Sequence, residues 1–279
     1  MHFTKYTGLG NDFIFLDGQT ALSVKDPFTL AKKMCDRRFG IGADGLILLL
    51  PSQQADVRMR IINSDGSEAE MCGNASRCVP LHLRRSGQTQ KKAILLETLA
   101  GIIGTEVIDE KKGLVCVNMG TPRFLCGQIP MTGEADKPAR NVTLNVSGQN
   151  FTGTGVSMGN PHFVIVVPDI SKIDLEALGP QIENAPQFPQ KTNVEYVQIL
   201  SANSVRMRVW ERGAGITKAC GTGACATAAA CLQDGKVSGK VQVILDGGTL
   251  EIAWPQQQAI FMTGPAQYVF QGDFNNDIL

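Results

Sequence analysis

The chain has 279 residues, and its 26 basic and 26 acidic side chains give a net charge of zero. Nucleic-acid-binding domains carry an excess of positive charge, so no nucleic-acid partner is expected. The sequence has neither a signal-peptide pattern nor an apolar run of about 20 residues, so we expect no membrane association and a cytoplasmic location. The length suffices for two modest domains.

Apolar periodicity predicts strands and helices in both halves of the chain. The predicted strands lie at 12–16, 46–50, 59–62, 94–99, 114–118, 162–167, 194–199, 207–210, 241–245 and 249–254. Helices are predicted at 27–38, where Asp26 and Pro27 form a start signal, and at 171–184. This mixture of elements indicates an α+β fold.

Two further helices are predicted after Cys72 and Cys220, where CGNASRCVPLHLRR and CGTGACATAAACLQ begin. The small residues of the second segment favour a tightly packed helix. Pro80 lies inside the first segment and is expected to kink or shorten that helix, because it lacks a backbone N–H.

The sequence contains an internal repeat. VRMR occurs at 57–60 and again at 205–208, and Cys-Gly follows each copy at the same distance, with an offset of 148 residues. Two further short matches, a Gly-Asn pair before an apolar stretch and a Leu-x-Gly segment, have offsets of 149 and 146. Four matches in the same order predict two copies of one unit, related by a pseudo-twofold axis.

Cys72 and Cys220 stand at the same point of the two copies. A helix start presents unpaired N–H groups and partial positive charge, which lower the pKa of a cysteine and bind a carboxylate. Two such ends could bind one α-carboxylate and place a sulfur on each face of the adjacent carbon. One thiolate would then remove the α-proton while the opposite thiol delivers a proton to the other face.

The cysteines also allow simpler interpretations. A buried cysteine at a helix start is commonly a small apolar packing residue, and a duplication can shape the fold without creating a site. The chain has eight cysteines but no Cys-x-x-Cys pair and only three histidines, so we expect reduced thiols and no metal site. Packing is the expected role of Cys78, Cys225 and Cys231, whereas Cys35, Cys116 and Cys126 belong to no motif.

Five segments resemble the diaminopimelate epimerase family. They are GLGNDF at 8–13, NSDGSEAEMCGNASRC at 63–78, MGNPHF at 158–163, TNVEY at 192–196 and WERGAGITKACGTGACA at 210–226. The similarity extends over essentially the whole chain, and the two cysteine motifs are highly specific. It implies a cofactor-independent amino-acid epimerase that interconverts LL- and meso-2,6-diaminopimelate in bacterial lysine and peptidoglycan-precursor synthesis.

The resemblance also implies a fold of two pseudo-symmetric domains, each a β-barrel-like sheet around a central helix. The first domain would comprise 1–120, to which a C-terminal strand at 266–279 returns, and the second would comprise 121–265. The expected partners are the small-molecule substrate and, in a homodimer, a second copy of the chain.

By the same resemblance, Cys72 and Cys220 would be the catalytic bases, and His162 and Glu211 would tune their pKa values. The implied substrate-binding residues are Asn11, Asn63, Gly73, Asn74, Asn160, Asn193, Glu211, Arg212, Gly221 and Thr222. Their chemistry fits a substrate with two amino-acid ends, since amide carbonyls bind an ammonium and a guanidinium binds a carboxylate. Without the resemblance, Gly-Asn pairs would indicate only turns.

Three residues depart from the family pattern: Ala75, where Gly is usual, Gly45, where some members have Gln, and Pro80. Ala75 would be strained only at positive φ. Two alternatives remain open, a two-thiol racemase of the proline racemase type and a thiol redox or metal-binding protein. Arg212 argues against the first because a substrate with one amino-acid end has no distal carboxylate, and the missing Cys-x-x-Cys pair argues against the second.

Overall fold

The computed structural model describes residues 1–275, so the last four residues of the predicted strand at 266–279 lie outside the described residues. The chain forms two compact units. Unit 1 comprises Met1–Asn118 and the segment that begins at Thr263, and unit 2 comprises Met119–Met262. The sequence-based boundaries, after 120 and after 265, differ from these by two and three residues.

The described residues contain eighteen strands and five α-helices. The strands are β1 (His2–Gly8), β2 (Asn11–Leu16), β3 (Gly45–Leu50), β4 (Val57–Asn63), β5 (Glu68–Ala69), β6 (Ala93–Thr98), β7 (Gly101–Asp109), β8 (Leu114–Gly120), β9 (Val142–Val146), β10 (Gln149–Ser157), β11 (Pro161–Val166), β12 (Asn193–Ser201), β13 (Ser204–Glu211), β14 (Gly215–Thr217), β15 (Val241–Leu245), β16 (Gly248–Ala253), β17 (Ile260–Pro265) and β18 (Gln267–Asp273). The helices are α1 (Gly18–Leu22), α2 (Pro27–Cys35), α3 (Gly73–Arg85), α4 (Leu175–Glu183) and α5 (Gly221–Gln233).

The strands of the two units pair in the same order. In unit 1, β18, β1 and β2 are antiparallel neighbours, β2 is parallel to β3, β3 is antiparallel to β4, and β4 is parallel to β6. In unit 2, β9, β10 and β11 are antiparallel neighbours, β11 is parallel to β12, β12 is antiparallel to β13, and β13 is parallel to β15. β18 therefore occupies in unit 1 the place that β9 occupies in unit 2.

Each unit has a central helix of 13 residues, α3 in unit 1 and α5 in unit 2. α3 contacts β1, β7 and β18, whereas α5 contacts six strands, β10 to β13, β15 and β16. Every residue from Gly73 to Leu83 is buried, and so are ten of the residues of α5. A helix that is buried on all sides needs no polar face, and the apolar and small residues of α5 fit this position. The fold is α+β with two similar domains.

A second pair of equivalent helices, α2 and α4, packs on the same strands in each unit. α2 contacts β3 and β4, and α4 contacts β12 and β13. Both have nine residues and an aspartate N-cap, Asp26 accepting from the N–H groups of Phe28 and Thr29 and Asp174 from that of Ala177. Such caps satisfy N–H groups that have no partner within the helix.

The structure corrects several sequence-based expectations. α2 ends at Cys35 instead of 38, because Asp36 leaves the helical conformation and caps the turn that follows. α3 runs to Arg85 without being shortened by Pro80, because its buried surroundings stabilise it more than one hydrogen bond does. Strands β1, β5, β7, β9, β10, β14 and β17 were not expected from the sequence, whereas β18 lies within the expected C-terminal strand. No helix among residues 1–275 is both long enough and apolar enough to cross a bilayer.

Candidate active site

The two predicted bases stand immediately before the two central helices. Cys72 is the N-cap of α3 and Cys220 the N-cap of α5, and both have an extended backbone. The first turn of each helix presents N–H groups that have no carbonyl partner within the helix. These first-turn positions include Gly73 and Asn74 in unit 1 and Gly221 and Thr222 in unit 2.

In unit 1, the start of β2 and the start of α3 bring three predicted site residues together. Sγ of Cys72, half-buried, lies 3.8 Å from Oδ1 of Asn11, to which the thiol donates. The same oxygen accepts from Nδ2 of Asn74 at 3.2 Å. Arg77 is completely buried and donates from Nη2 to Oδ1 of Asn74 at 2.9 Å. The guanidinium therefore supports the carboxamide beside Cys72.

A charged network holds the beginning of β2. Nδ2 of Asn11 donates to Oδ2 of Asp44 at 2.7 Å, and Arg37 pairs with both Asp44 and Asp12 at 2.7 Å. Lys5, buried in β1, pairs with Asp12 at 2.8 Å. Burial opposes ionisation of Asp12, but hydrogen bonds from Arg37 and Lys5 outweigh it and lower the pKa of this carboxyl to about 2. Asn11 is thus anchored to a fully charged network.

The remaining predicted residue of unit 1, Asn63, ends β4 opposite Gly45 of β3. The side chain of Asn63 donates to Oγ of Ser67 at 2.9 Å. This contact does not connect Asn63 to Cys72. A Cβ at Gly45 would lie 3.2 Å from the carbonyl oxygen of Ile62, so a larger residue there requires a small shift. Ala75 is helical and lies outside the set of residues with positive φ, so the condition under which it would be strained is not met.

In unit 2, β11 and α5 form the equivalent arrangement around Cys220. Sγ of Cys220 accepts from the N–H of Gly223 at 3.4 Å and lies 3.5 Å from Oγ1 of Thr222. Nδ2 of Asn160 donates to the same Oγ1 at 3.3 Å. The structure thus joins Asn160, Thr222 and Cys220.

The expected lowering of the cysteine pKa by the helix start is wrong for Cys220. Burial raises the pKa of this thiol well above its ordinary value, and the nearby carboxylates of Glu211 and Glu195 raise it further. Hydrogen bonds from Thr222 and Gly223 oppose this rise without cancelling it. Burial also raises the pKa of Glu211. The thiol form of Cys220 is therefore favoured in the substrate-free protein.

His162 lies fully buried between an acid and an amide. Its Nδ1 is 2.6 Å from Oε1 of Glu195, and its Nε2 is 3.0 Å from Oδ1 of Asn160. Glu195 has no exposed surface either, and its Oε2 has no hydrogen-bond partner. His162 is therefore held by Glu195 and reaches Cys220 through Asn160 and Thr222.

The other predicted residues of unit 2 lie at the adjoining strand ends. Glu211 ends β13 and accepts a short hydrogen bond from Thr217 of β14. Oδ1 of Asn193 accepts from the N–H of Arg212 at 2.9 Å, and its Nδ2 donates to the backbone carbonyl of the first residue of β11. The guanidinium of Arg212 is exposed and donates to the carbonyl of Gln190 at 3.1 Å. Asn193 thus positions the backbone that carries Arg212.

The residues of these networks that sequence reasoning missed include Asp44, Arg77 and Glu195. Arg77 and Glu195 lie inside the motifs CGNASRC and TNVEY, in segments that are otherwise buried. A charged residue in such a segment is a signal, since burial of a charge requires a partner. Within residues 1–275, no three His, Cys, Asp or Glu side chains are grouped so as to hold a metal ion.

A family model and full-length relatives of known name all match this chain and point to one family. The family model described as diaminopimelate epimerase matches residues 3–125 and 154–269. The diaminopimelate epimerase of Carboxydothermus hydrogenoformans is 53% identical over 276 residues, which cover 98% of this chain and 99% of that protein. That of Moorella thermoacetica is 49% identical, over 99% of this chain and 100% of that protein.

Solved structures share the fold at much lower identity. A PhzF-family phenazine biosynthesis protein from Bacillus anthracis has a TM-score of 0.71 at 17% identity, and the match covers 99% of each chain. A probable proline racemase from Agrobacterium radiobacter has a TM-score of 0.68 at 18% identity, over 99% of this chain and 93% of that one. The family model and the full-length relatives together establish that the chain belongs to the diaminopimelate epimerase family.

Proposed function

We propose that this chain interconverts LL- and meso-2,6-diaminopimelate by moving the α-proton between two thiols, Cys72 and Cys220. Membership of the family makes the chain an isomerase that works without pyridoxal phosphate. The observation that carries the proposed residue roles is the equivalence of the two cysteines, each the N-cap of a buried 13-residue helix. In this mechanism one sulfur serves each face of the same α-carbon.

The helix starts would bind the α-carboxylate. Amide N–H groups at a helix N-terminus and the positive end of its dipole both favour an anion. In the proposed complex, the N–H groups of Gly73 and Asn74 and those of Gly221 and Thr222 provide this binding. The carboxylate is thereby fixed beside both thiols, and the negative charge that develops when the α-proton leaves is stabilised.

Glu211 would bind the reacting ammonium group of the substrate and thereby lower the pKa of Cys220. Its carboxylate raises the pKa of the Cys220 thiol. A substrate ammonium next to Glu211 offsets that negative charge, so substrate binding lowers the pKa of Cys220. The thiolate then forms when there is a proton to remove. His162 lies on the same side of the site, between Glu195 and Asn160.

Arg212 and the asparagines would recognise the distal amino-acid end of the substrate. Arg212 is exposed, so its guanidinium can form a two-point contact with a carboxylate. Asn63 and Asn193 lie at strand ends and carry carbonyl oxygens that suit an ammonium. A substrate with one amino-acid end has no distal carboxylate for Arg212 to bind, which disfavours proline and similar amino acids.

The alternatives drawn from the sequence fit less well. A thiol redox or metal-binding protein is inconsistent with the family to which the chain belongs. The proline racemase fold is shared, but likeness at 18% identity supports the fold alone. A homodimer and a cytoplasmic location stay expectations of the sequence, and analytical ultracentrifugation of the purified protein tests the first.

Deuterium exchange tests the proposed function directly. Incubation with LL-diaminopimelate in heavy water should yield meso-diaminopimelate with solvent deuterium at one α-carbon, measured by NMR and mass spectrometry. The Cys72→Ala variant is the control for contaminating activity. Product without deuterium at that carbon, or epimerisation of proline in place of diaminopimelate, would overturn the proposal.

A further inference from the structure

The two units carry equivalent asparagines whose carboxamides point in opposite directions. Asn11 begins β2 and Asn160 immediately precedes β11, and each contacts the second residue of its central helix, Asn74 or Thr222. In unit 1 the asparagine accepts, through Oδ1, from Nδ2 of Asn74. In unit 2 it donates, through Nδ2, to Oγ1 of Thr222. At equivalent positions of the two units, Asn11 thus turns its carbonyl oxygen, and Asn160 its amide nitrogen, towards the central helix.

The chemistry of the neighbours fixes the orientation in unit 1. Asp44 is paired with Arg37, and an ionised carboxylate can only accept, so Asn11 must turn Nδ2 towards it. Arg77 can only donate, so Asn74 must turn Oδ1 towards Arg77 and Nδ2 towards Asn11. The hydrogen bonds therefore run in one direction, from Arg77 through both carboxamides to Asp44.

A different pair of residues fixes the orientation in unit 2. Glu195 is fully buried, and its Oε1 contacts Nδ1 of His162, whereas Oε2 has no hydrogen-bond partner. Because Nδ1 of His162 is engaged by this carboxyl group, the ring contacts Asn160 through Nε2. Oδ1 of Asn160 can only accept, so it faces Nε2 as the acceptor of that nitrogen's hydrogen, which leaves Nδ2 to donate to Thr222.

The described residues of unit 1 contain no equivalent of this acid and imidazole. In β2 and β3, Phe13 is paired with Gly45 in the register that pairs His162 with Asn193 in β11 and β12. Two residues further along β3, Ile47 occupies the position that corresponds to Glu195. The pair of His162 and Glu195 therefore belongs to unit 2, and the contact of Asn11 with Asp44 belongs to unit 1.

We propose that Asp44 and Glu195 are positioning residues that hold the two active-site asparagines in opposite orientations, Asp44 directly and Glu195 through His162. The consequence concerns the sulfurs. Cys72 faces a carbonyl oxygen, which accepts from its S–H. Cys220 lies beside the hydroxyl of Thr222, which accepts from Asn160 and, unlike a carbonyl oxygen, also carries a hydrogen that it can donate to the sulfur. The two thiols thereby receive unlike surroundings from equivalent residues.

One matched pair of substitutions tests the orientations without any substrate. Asn11→Asp replaces the N–H that faces Asp44 by a carboxylate oxygen, so at pH 8 we expect a melting temperature lower by about 5 °C or more. Asn160→Asp makes the same chemical change but places the new oxygen beside Thr222, whose hydroxyl can rotate to donate. Its melting temperature should stay within about 2 °C of the parent protein.

Exchanging the two side chains supplies the internal check. In the double variant Asn11→Asp with Asp44→Asn, residue 44 donates and residue 11 accepts, while the backbone N–H of Asp12 loses the acceptor that Oδ2 of Asp44 provides. The variant should therefore recover part, but not all, of the lost melting temperature. Equal losses for Asn11→Asp and Asn160→Asp, or no recovery in the exchanged variant, would overturn the assignment of Asp44.

Nitrogen NMR tests the role of Glu195. The chain has only three histidines, so selective ¹⁵N labelling gives three rings, and the exposed His2 serves as the reference. Nε2 of His162 should resonate in the range of protonated imidazole nitrogens. In Glu195→Gln, whose carboxamide oxygen can accept from Nδ1, the Nε2 signal should move towards the range of an unprotonated nitrogen. A bare Nε2 in the parent protein, or an Nε2 signal unchanged by Glu195→Gln, would overturn this part.

The kinetic readout rests on the proposed function and is separable from it. Asp44→Asn should lower kcat/KM for LL-diaminopimelate about tenfold, mainly through KM, because a misturned Asn11 weakens binding. Asp12→Asn removes a carboxylate from the same Arg37 without touching Asn11 through its side chain, and should keep kcat/KM within about threefold. Equal losses would attribute the effect to Arg37 and overturn the proposal. A parent protein that does not epimerise diaminopimelate would refute the proposed function, whereas the melting and NMR results would still decide this one.

Discussion

The backbone N–H of Gly223 donates to the sulfur of Cys220 at 3.4 Å, so the thiol caps the helix that it precedes. A Cβ at Gly223 would lie 2.8 Å from Oε1 of Glu195 and 3.3 Å from Sγ of Cys220. Only glycine fits there without displacing the carboxylate or the thiol.

Gly223→Ala should therefore impair both the fold and the reaction. We expect a loss of about 1 to 3 kcal/mol in the free energy of unfolding from overpacking, and a lower kcat. Ala75 occupies the equivalent position of α3, so Ala75→Gly is the matched control and should cost about 1 kcal/mol of helix propensity with little change in kcat. Urea denaturation and steady-state kinetics measure the two effects. Comparable kcat values for both variants would contradict this interpretation.

Removing either proposed base should abolish epimerisation. In Cys72→Ala and Cys220→Ala, one face of the α-carbon loses its proton carrier, so kcat should fall by at least the ~10²- to 10⁴-fold typical of acid–base groups. Cys116→Ala, in β8, changes a cysteine outside both helices and should retain near-parental activity. Assays begun from each stereoisomer check that both directions fail. A Cys72 or Cys220 variant with near-parental turnover would show that two thiols are not required.

Glu211→Gln should make Cys220 more reactive towards alkylation. The carboxylate raises the pKa of this thiol, so a neutral amide lowers that pKa and increases the thiolate fraction at pH 8. One unit of pKa corresponds to about tenfold in thiolate, so a rise of several-fold in the iodoacetamide rate is expected. Peptide mass spectrometry reports the rate, and buried Cys231 serves as the internal reference. An unchanged or slower rate at Cys220 would contradict the electrostatic role of Glu211.

Arg212→Lys should weaken binding of diaminopimelate although the charge is kept. Lys lacks the planar two-point contact with a carboxylate, and the loss of one charged hydrogen bond typically costs about 1.5 to 3 kcal/mol. The expected result is an increase in KM of at least about tenfold, with a smaller change in kcat. Arg38→Lys, on an exposed turn of unit 1, is the control. Unchanged KM and kcat in Arg212→Lys would remove this residue from the site.

A half-buried aspartate paired with a buried histidine should make stability depend on pH. Asp17 lies 2.9 Å from His82, whose hydrogen bond is the main cause of the lowered pKa of Asp17. A lowered pKa in the folded state stabilises the protein above the unfolded pKa near ~4, and this stabilisation is lost as the pH falls through the folded value. Asp17→Asn should cost about 1 kcal/mol at pH 7, with the difference shrinking below about pH 4.

The surface pair of His2 and Asp273 is the matched control for that experiment. Its side chains are 52% and 80% exposed, whereas those of His82 and Asp17 are 6% and 32% exposed. Asp273→Asn should change the free energy of unfolding very little, since exposed ion pairs contribute little. Urea denaturation from pH 3 to 8 measures both variants. A pH-independent difference for Asp17→Asn would contradict the linkage.

Residue patterns predict the parts of this fold that depend on apolar periodicity and local caps. The cysteine helices, the strand of VRMR and the start of α2 at Pro27 were all confirmed. β1 escaped prediction because its Thr and Lys residues resemble a surface segment, although Lys5 is buried through its ion pair with Asp12. Partners distant in sequence decide such cases, and periodicity carries no information about them.

The same distinction applies to the candidate site. Cys72 and Cys220 could be identified because the repeat aligned them, and the structure confirms their place at the two helix starts. The pKa of Cys220 could not be predicted, because a helix start is a local feature whereas Glu195 contributes from another strand. Burial of the thiol and the charges of two carboxylates raise the pKa of Cys220 more than the helix start lowers it. The balance between these opposing effects can be seen only in the folded structure.

The position of β18 determines which of the two units can complete its fold first during synthesis. Unit 2 is a single continuous segment, whereas the sheet of unit 1 is completed by β18 beside β1, and the amino group of Met1 donates to the carbonyl of Phe274 at 2.9 Å. On the ribosome, the later unit is therefore the first whose strands are all available. The earlier unit must keep the edge of β1 open until nearly the whole chain has emerged, which exposes that edge to wrong pairing during translation.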